Sequence, residues 1–192
     1  MTIVKDIYAL LAEKAPLEKK LDFDNVGLLV GRGESEVKRV LVALDITDDV
    51  MEEAADVGAD LIVSHHPLFF ELKSVTDDLW TGKQVLFLAE HRIAAICMHT
   101  NLDAAHGGVN DALLSAVGCV YTGELDVTSE IGRIGERPSP TDLSSFMTEI
   151  REKLGCFGLR YHDAGRPVKK NYRVQAGDVF RVALPEPEEE SI

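Results

Sequence analysis

Three short runs of the chain, residues 40–44, 61–63 and 93–98, are apolar at nearly every position and show no polar face. A run of that kind reads as a strand buried on both sides in a parallel sheet. Between the runs the pattern changes to helical spacing. Thr47 or Asp48 caps a helix that ends near Gly58, and a second helix carries Val85, Leu86, Leu88 and Ala89. A third helix runs from near Gly108 to Val117. Strand and helix alternate three times from Val40, which predicts right-handed crossovers and an α/β fold, a mainly parallel sheet flanked by helices.

The flanks are read the same way. Thr2 caps a first helix whose apolar stripe is Ile3, Ile7, Leu10 and Leu11, and a polar turn at residues 21–27 then feeds a short strand. After Tyr121-Thr122-Gly123 the pattern restarts, with a helix over residues 143–154 and a strand over residues 157–161. These shifts divide the chain into an α/β domain at residues 1–122, a partial second α/β domain at 123–183 and an acidic, solvated tail at 184–192.

The candidate chemistry sits where the apolar runs stop. The second run ends in Ser64-His65-His66-Pro67 and the third in His99-Thr100-Asn101-Leu102-Asp103. Pro67 cannot donate a ladder hydrogen bond and biases His66 towards extended backbone, so the strand stops with two imidazoles at its carboxyl end. Open α/β sheets usually bind their ligands at that end. Adjacent residues on extended backbone point to opposite sides, so His65 and His66 are expected to serve two neighbouring ions or to flank one site. Loop histidines that merely cap buried carbonyls remain the alternative. Two strand ends that deliver His/His and His/Asp to one sheet edge favour metal binding, and a mixed imidazole and carboxylate set suits zinc, iron or manganese.

Composition narrows the picture. The chain has 192 residues, enough for a core, with 20 basic and 33 acidic side chains and a net charge of −13. Without the four glutamates of the tail at 185–190 the charge is still −9, which disfavours nucleic-acid binding. Apolar runs fall far short of the ~20 residues of a membrane span, and the amino terminus lacks a signal peptide's pattern, so a cytoplasmic protein with no membrane partner is expected. Cys97, Cys119 and Cys156 are sparse and unpaired in spacing, which argues for reduced, buried thiols.

Asp24-Asn25-Val26-Gly27, Ser64-His65-His66-Pro67-Leu68 and His99-Thr100-Asn101-Leu102-Asp103, followed by residues 107–113 and 132–135, resemble the Nif-three-like family of dinuclear-metal proteins. Its members carry the name GTP cyclohydrolase 1 type 2 homologue. The resemblance runs to about residue 165. It implies one or two divalent ions per chain, held by His65, His66 and Asp103 with His99 as an additional or supporting ligand. It also implies metal-dependent hydrolysis of a small molecule, and a closed homo-oligomer. The resemblance also places the Asp24-Asn25-Val26-Gly27 segment near the metal cleft, although on its own residues Asp24-Asn25 reads more readily as a turn than as a site.

Family members continue into a fuller second α/β half that supplies further histidine and glutamate ligands. Here Gly177-Asp178 resembles the start of that segment, yet no histidine follows. The expectation is therefore an incomplete second half, little or no hydrolytic activity, and a smaller oligomer or aggregation. The alternative function is a non-catalytic metal-binding or regulatory partner-binding protein. His106 and His162 are expected to be structural or solvent-facing, and Arg133 and Arg160 to lie at the surface or to contact an anion.

Overall fold

A computed structural model describes residues 1–161 and 181–182. Its centre is a four-stranded sheet in the order β1-β4-β3-β2, formed by β1 (Gly27–Val30), β2 (Val40–Ala43), β3 (Leu61–Ser64) and β4 (Ala94–Cys97). β2, β3 and β4 run parallel, and β1 joins β4 antiparallel. The sheet is therefore mainly parallel, as the alternating pattern predicts. β4 is buried along its whole length, which explains the unbroken apolar run that encodes it.

Helices cover both faces. Ile62 and Ala95 point to one side, where α2 (Asp48–Asp56) contributes Met51 and Ala54, and α3 (Trp80–Glu90) contributes Leu88. Leu61, Ala94 and Ile96 point to the other, against α1 (Val4–Lys14) through Val4 with Ile7, Tyr8 and Leu11. Alternate residues of one strand thus feed two cores, the consequence of a period of two. Each fully buried leucine or isoleucine contributes about 1.5–3 kcal/mol of burial free energy.

Three local expectations change. The start of α1 is closed by Asp6, whose carboxylate accepts the Ile3 amide at 2.9 Å, and not by Thr2. Leu10 is 55% exposed, because the buried stripe follows Val4, Ile7, Tyr8 and Leu11 at helical spacing and passes it by. β2 is an edge strand, and its Val42 is 77% exposed, so its apolar run does not report burial on both sides. Thr47 does cap α2, accepting the Val50 amide at 3.3 Å, and Gly58 follows the helix in a left-handed conformation with φ +65°.

Beyond the sheet come the short α4 (Thr100–Ala104) and α5 (Val109–Ala116), the paired strands β5 (Val120–Glu124) and β6 (Arg133–Glu136), and α6 (Leu143–Leu154). α6 has the bounds that its sequence predicts, with Asp142 accepting the Ser145 amide at its start. The strand expected over 157–161 is confined to β7 (Arg160–Tyr161), which pairs antiparallel with β8 (Arg181–Val182). Met1–Leu114 with Tyr121–Glu136 form one compact unit, and Ser115–Val120 with the described residues from Arg137 form a second. Gly177-Asp178, His162 and the acidic tail lie outside the described residues. No described helix is long and apolar enough to cross a membrane.

Candidate metal centre

The parallel register builds the site. Ala43, Ser64 and Cys97 lie side by side across β2, β3 and β4. The next backbone bonds continue that order: the His66 amide donates to Leu44 at 2.9 Å, and the Met98 amide donates to Ser64 at 2.9 Å. The chain therefore delivers Asp45, His65, His66 and His99 to the same carboxyl edge of the sheet. β1 enters from the opposite direction, which brings the preceding Asp24 to that edge as well.

His65 and His66 do not diverge. β3 ends at Ser64, whose hydroxyl donates to the His66 carbonyl at 2.8 Å, and the backbone bends at the two histidines. Alternation along an extended strand no longer applies there, and the two rings lie 5.0 Å apart. The His99 ring is 5.1 Å from His65 and 5.5 Å from His66. Each of the three offers a ring nitrogen, and these nitrogens lie within 4.8 Å of one another.

One nitrogen of every ring is already engaged. His65 Nδ1 faces the Met98 carbonyl at 3.0 Å, His66 Nδ1 the Asp45 carboxylate at 2.6 Å, and His99 Nδ1 the Asp24 carboxylate at 2.9 Å. A carbonyl or carboxylate can only accept, so each Nδ1 is the donor, which in the neutral ring leaves the Nε2 lone pair free. Metal-binding histidines are commonly oriented in this way.

Asp24 is fixed in turn. It is buried, and its carboxylate accepts the Thr100 amide at 3.0 Å, the Asn25 amide at 2.8 Å and the Thr100 hydroxyl. Burial pushes its carboxyl up, but hydrogen bonds from the Thr100 hydroxyl, the His99 ring and the Thr100 amide together outweigh that and hold it below the ordinary carboxylate value. The Asp24-Asn25 segment thus lies beside the histidine cluster, where the family resemblance puts it and where its own residues suggest only a turn. Asp45 is the residue that sequence reasoning missed. The available signal was its place at the end of an apolar strand, matching that of His66.

α4 carries Asp103 one helical turn past His99, and its Oδ1 lies 3.8 Å from His65 Nε2. Asp103 is beside the three histidines without belonging to the tight group that they form. A tetrahedral ion with ~2.1 Å bonds to nitrogen needs its donors about 3.4 Å apart. Three imidazoles that each offer a nitrogen within 4.8 Å of the others, next to a carboxylate, are a donor set of the kind such an ion takes.

Neighbouring polar groups have other partners. Cys97 is buried and its thiol donates to the His65 carbonyl at 3.1 Å; burial, with the Asp24 charge, pushes the thiol up to about 12. Cys119 and Cys156 are free but only half-buried, so the expectation of three buried thiols holds for Cys97 alone. The Arg133 side chain is almost fully buried, pairs with Asp111 and donates to the Ala104 and Ala105 carbonyls, while His106 and Arg160 are exposed. The Gly107 amide donates to Asp111, and a side chain at Gly108 would meet the Leu102 carbonyl oxygen at 1.9 Å.

A family model described as Duf34/NIF3 (NGG1p interacting factor 3) matches residues 2–175. The chain belongs to this family. It is 35% identical over 174 residues to a GTP cyclohydrolase 1 type 2 homolog of Clostridium perfringens, an alignment that covers 87% of this chain and 66% of that relative. A Bacillus cereus protein related to NIF3 is 37% identical in its crystal structure, with a TM-score of 0.61 over 65% of this chain and 35% of the other. A hypothetical protein of Staphylococcus aureus matches with a TM-score of 0.70 at 27% identity, over 84% of this chain and 68% of that one. The chain spans 66% of the Clostridium perfringens relative and 62% of a Clostridium acetobutylicum relative of the same name, less than two thirds of either. The family and the α/β fold are those that the sequence motifs imply.

Proposed function

We propose that His65, His66 and His99 hold a divalent metal ion through their Nε2 atoms, with the Asp103 carboxylate as a further donor, and that the protein is a metal-dependent hydrolase acting on a small molecule. The observation that carries this reading is the three-fold engagement of Nδ1, by Met98, Asp45 and Asp24, on rings whose nitrogens lie within 4.8 Å of one another. Histidines that only capped carbonyls would have no reason to share one orientation scheme around one point.

The donor set suits zinc, iron or manganese. When bound, such an ion acts as a Lewis acid and makes a hydroxide nucleophile available near neutral pH. The residues of the chain supply the rest. Asp24 and Asp45 fix ring orientation. Half-buried Asp103 is placed to accept a proton or to bind the ion. Among the described residues the three histidines are the one group of this kind, so they support one ion, and the dinuclear centre implied by the family resemblance needs further donors.

Elemental analysis tests the reading. Protein equilibrated with zinc or manganese should retain about one ion per chain, and His66→Ala or His99→Ala should release most of it. Equal metal content in wild type and in the His65→Ala/His99→Ala variant would reject the site. Bound metal without turnover in a nucleotide hydrolysis assay would instead favour the non-catalytic alternative.

A further inference from the structure

Two large aromatic side chains stand in water beside the histidines. Phe23 is 65% exposed and Phe70 is 54% exposed. Their rings are 6.2 Å apart and inclined by 49°, and the Phe70 ring lies 6.2 Å from that of His99. Paired exposed phenylalanines forgo burial free energy, and an apolar patch at the rim of a polar site fits a binding role.

Both rings are carried by anchored backbone. Phe23 lies between Leu21, whose amide donates to the Thr100 hydroxyl at 3.0 Å, and Asp24, whose carboxylate holds His99. Lys20 Nζ donates to the carbonyls of Leu21 and Asp24, at 3.3 and 2.9 Å, and closes that turn. The Asn25 side chain reaches across to donate to the Phe69 carbonyl at 2.9 Å, which ties the segment bearing Phe23 to the segment bearing Phe70. The same turn that orients His99 therefore sets the aromatic pair at the rim of the site.

We propose that Phe23 and Phe70 form a ledge on which a flat aromatic or heteroaromatic ring of the substrate stacks while the histidine cluster holds the reacting group. This rests on the metal-site reading above. A ring on the ledge gains offset or edge-on contact with two aromatic faces. The neighbouring His99 places the ring's substituent, not its centre, at the metal donors. The ligand class is thus a planar ring with a polar, metal-directed substituent, and compact aliphatic acids or amides gain nothing from the ledge.

Acetohydroxamate and benzohydroxamate present the same metal-binding group, and only the second carries a ring. Titration calorimetry on the zinc-loaded full chain should show benzohydroxamate binding roughly tenfold tighter. In Phe23→Ala/Phe70→Ala that preference should fall to about twofold or less, with acetohydroxamate affinity and zinc content unchanged. Phe70→Leu keeps apolar area without an aromatic face, and it should lose most of the preference. Equal affinity for the two hydroxamates in wild type, or a preference kept in full by either variant, overturns the ledge and leaves the metal reading intact. Zinc failing to bind at all overturns the metal reading and the ledge together.

Discussion

The Asp24 carboxylate and the His99 ring, 75 residues apart in the chain, meet in a 2.9 Å hydrogen bond. The bond joins the turn before β1 to the end of β4, and it sets the direction in which His99 presents its free nitrogen. Asp24→Ala removes that acceptor and also strands the buried Thr100 amide. We expect metal affinity to fall about 10–100-fold and stability to fall by about 1–3 kcal/mol. Zinc titration and urea unfolding of the metal-free protein measure the two effects separately, and unchanged affinity would show that His99 is not a ligand.

Asp45 plays the same part for His66 from a more open position, with its side chain 52% exposed. Its loss should therefore affect metal binding without affecting the fold. Asp45→Ala is expected to weaken zinc binding by about tenfold or more, with a stability change within about 0.5 kcal/mol. Asp45→Asn, which keeps an acceptor oxygen, should recover part of the affinity. A large loss of stability in Asp45→Ala would mean that the residue holds the strand end and not the ring.

A carboxylate also fastens the far end of the sheet. Asp60, just before β3, accepts the amides of Lys38 and Arg39 at 2.8 and 3.0 Å. The Lys38 amide, opposed by burial and helped by the Arg39 amide and the two nearby positive charges, holds the Asp60 carboxyl below its ordinary value of 3.8. A depressed value in the folded state stabilises the protein fully above the ordinary value and less as pH falls through the folded one. Relative to Asp60→Asn, wild-type stability measured in urea should be higher near pH 7, and the gap should narrow steadily below about pH 4. A gap that stayed constant down to pH 2 would contradict the assignment.

Leu88 of α3 is fully buried in the core that also holds Ile62, Met51 and Ile93. Leu88→Ala should cost about 2–5 kcal/mol in urea unfolding, as the helix cannot settle fully into the space left. A cost below about 1 kcal/mol would indicate that α3 is not packed against the sheet as described.

The sequence by itself determined the strands and helices of the sheet layer and the kind of chemistry at its edge. Buried parallel strands need apolar side chains on both faces, so residues 61–63 and 93–98 announce themselves locally, and the imidazoles that interrupt them do so too. Local pattern also set the bounds of α6, whose Asp142 cap and helical spacing lie within one short window. What only the tertiary structure decided depends on which segments become neighbours. An apolar run does not encode its place in the strand order, so β2 reads as central and lies at the edge, with Val42 in water. The bend at His65 and His66, just after Ser64, brings the two rings together, where alternation along a strand sets them apart. Asp24 and Asp45 become partners of His99 and His66 only because sheet pairing closes gaps of 75 and 21 residues, and nothing within reach of either carboxylate along the chain specifies a contact at that distance.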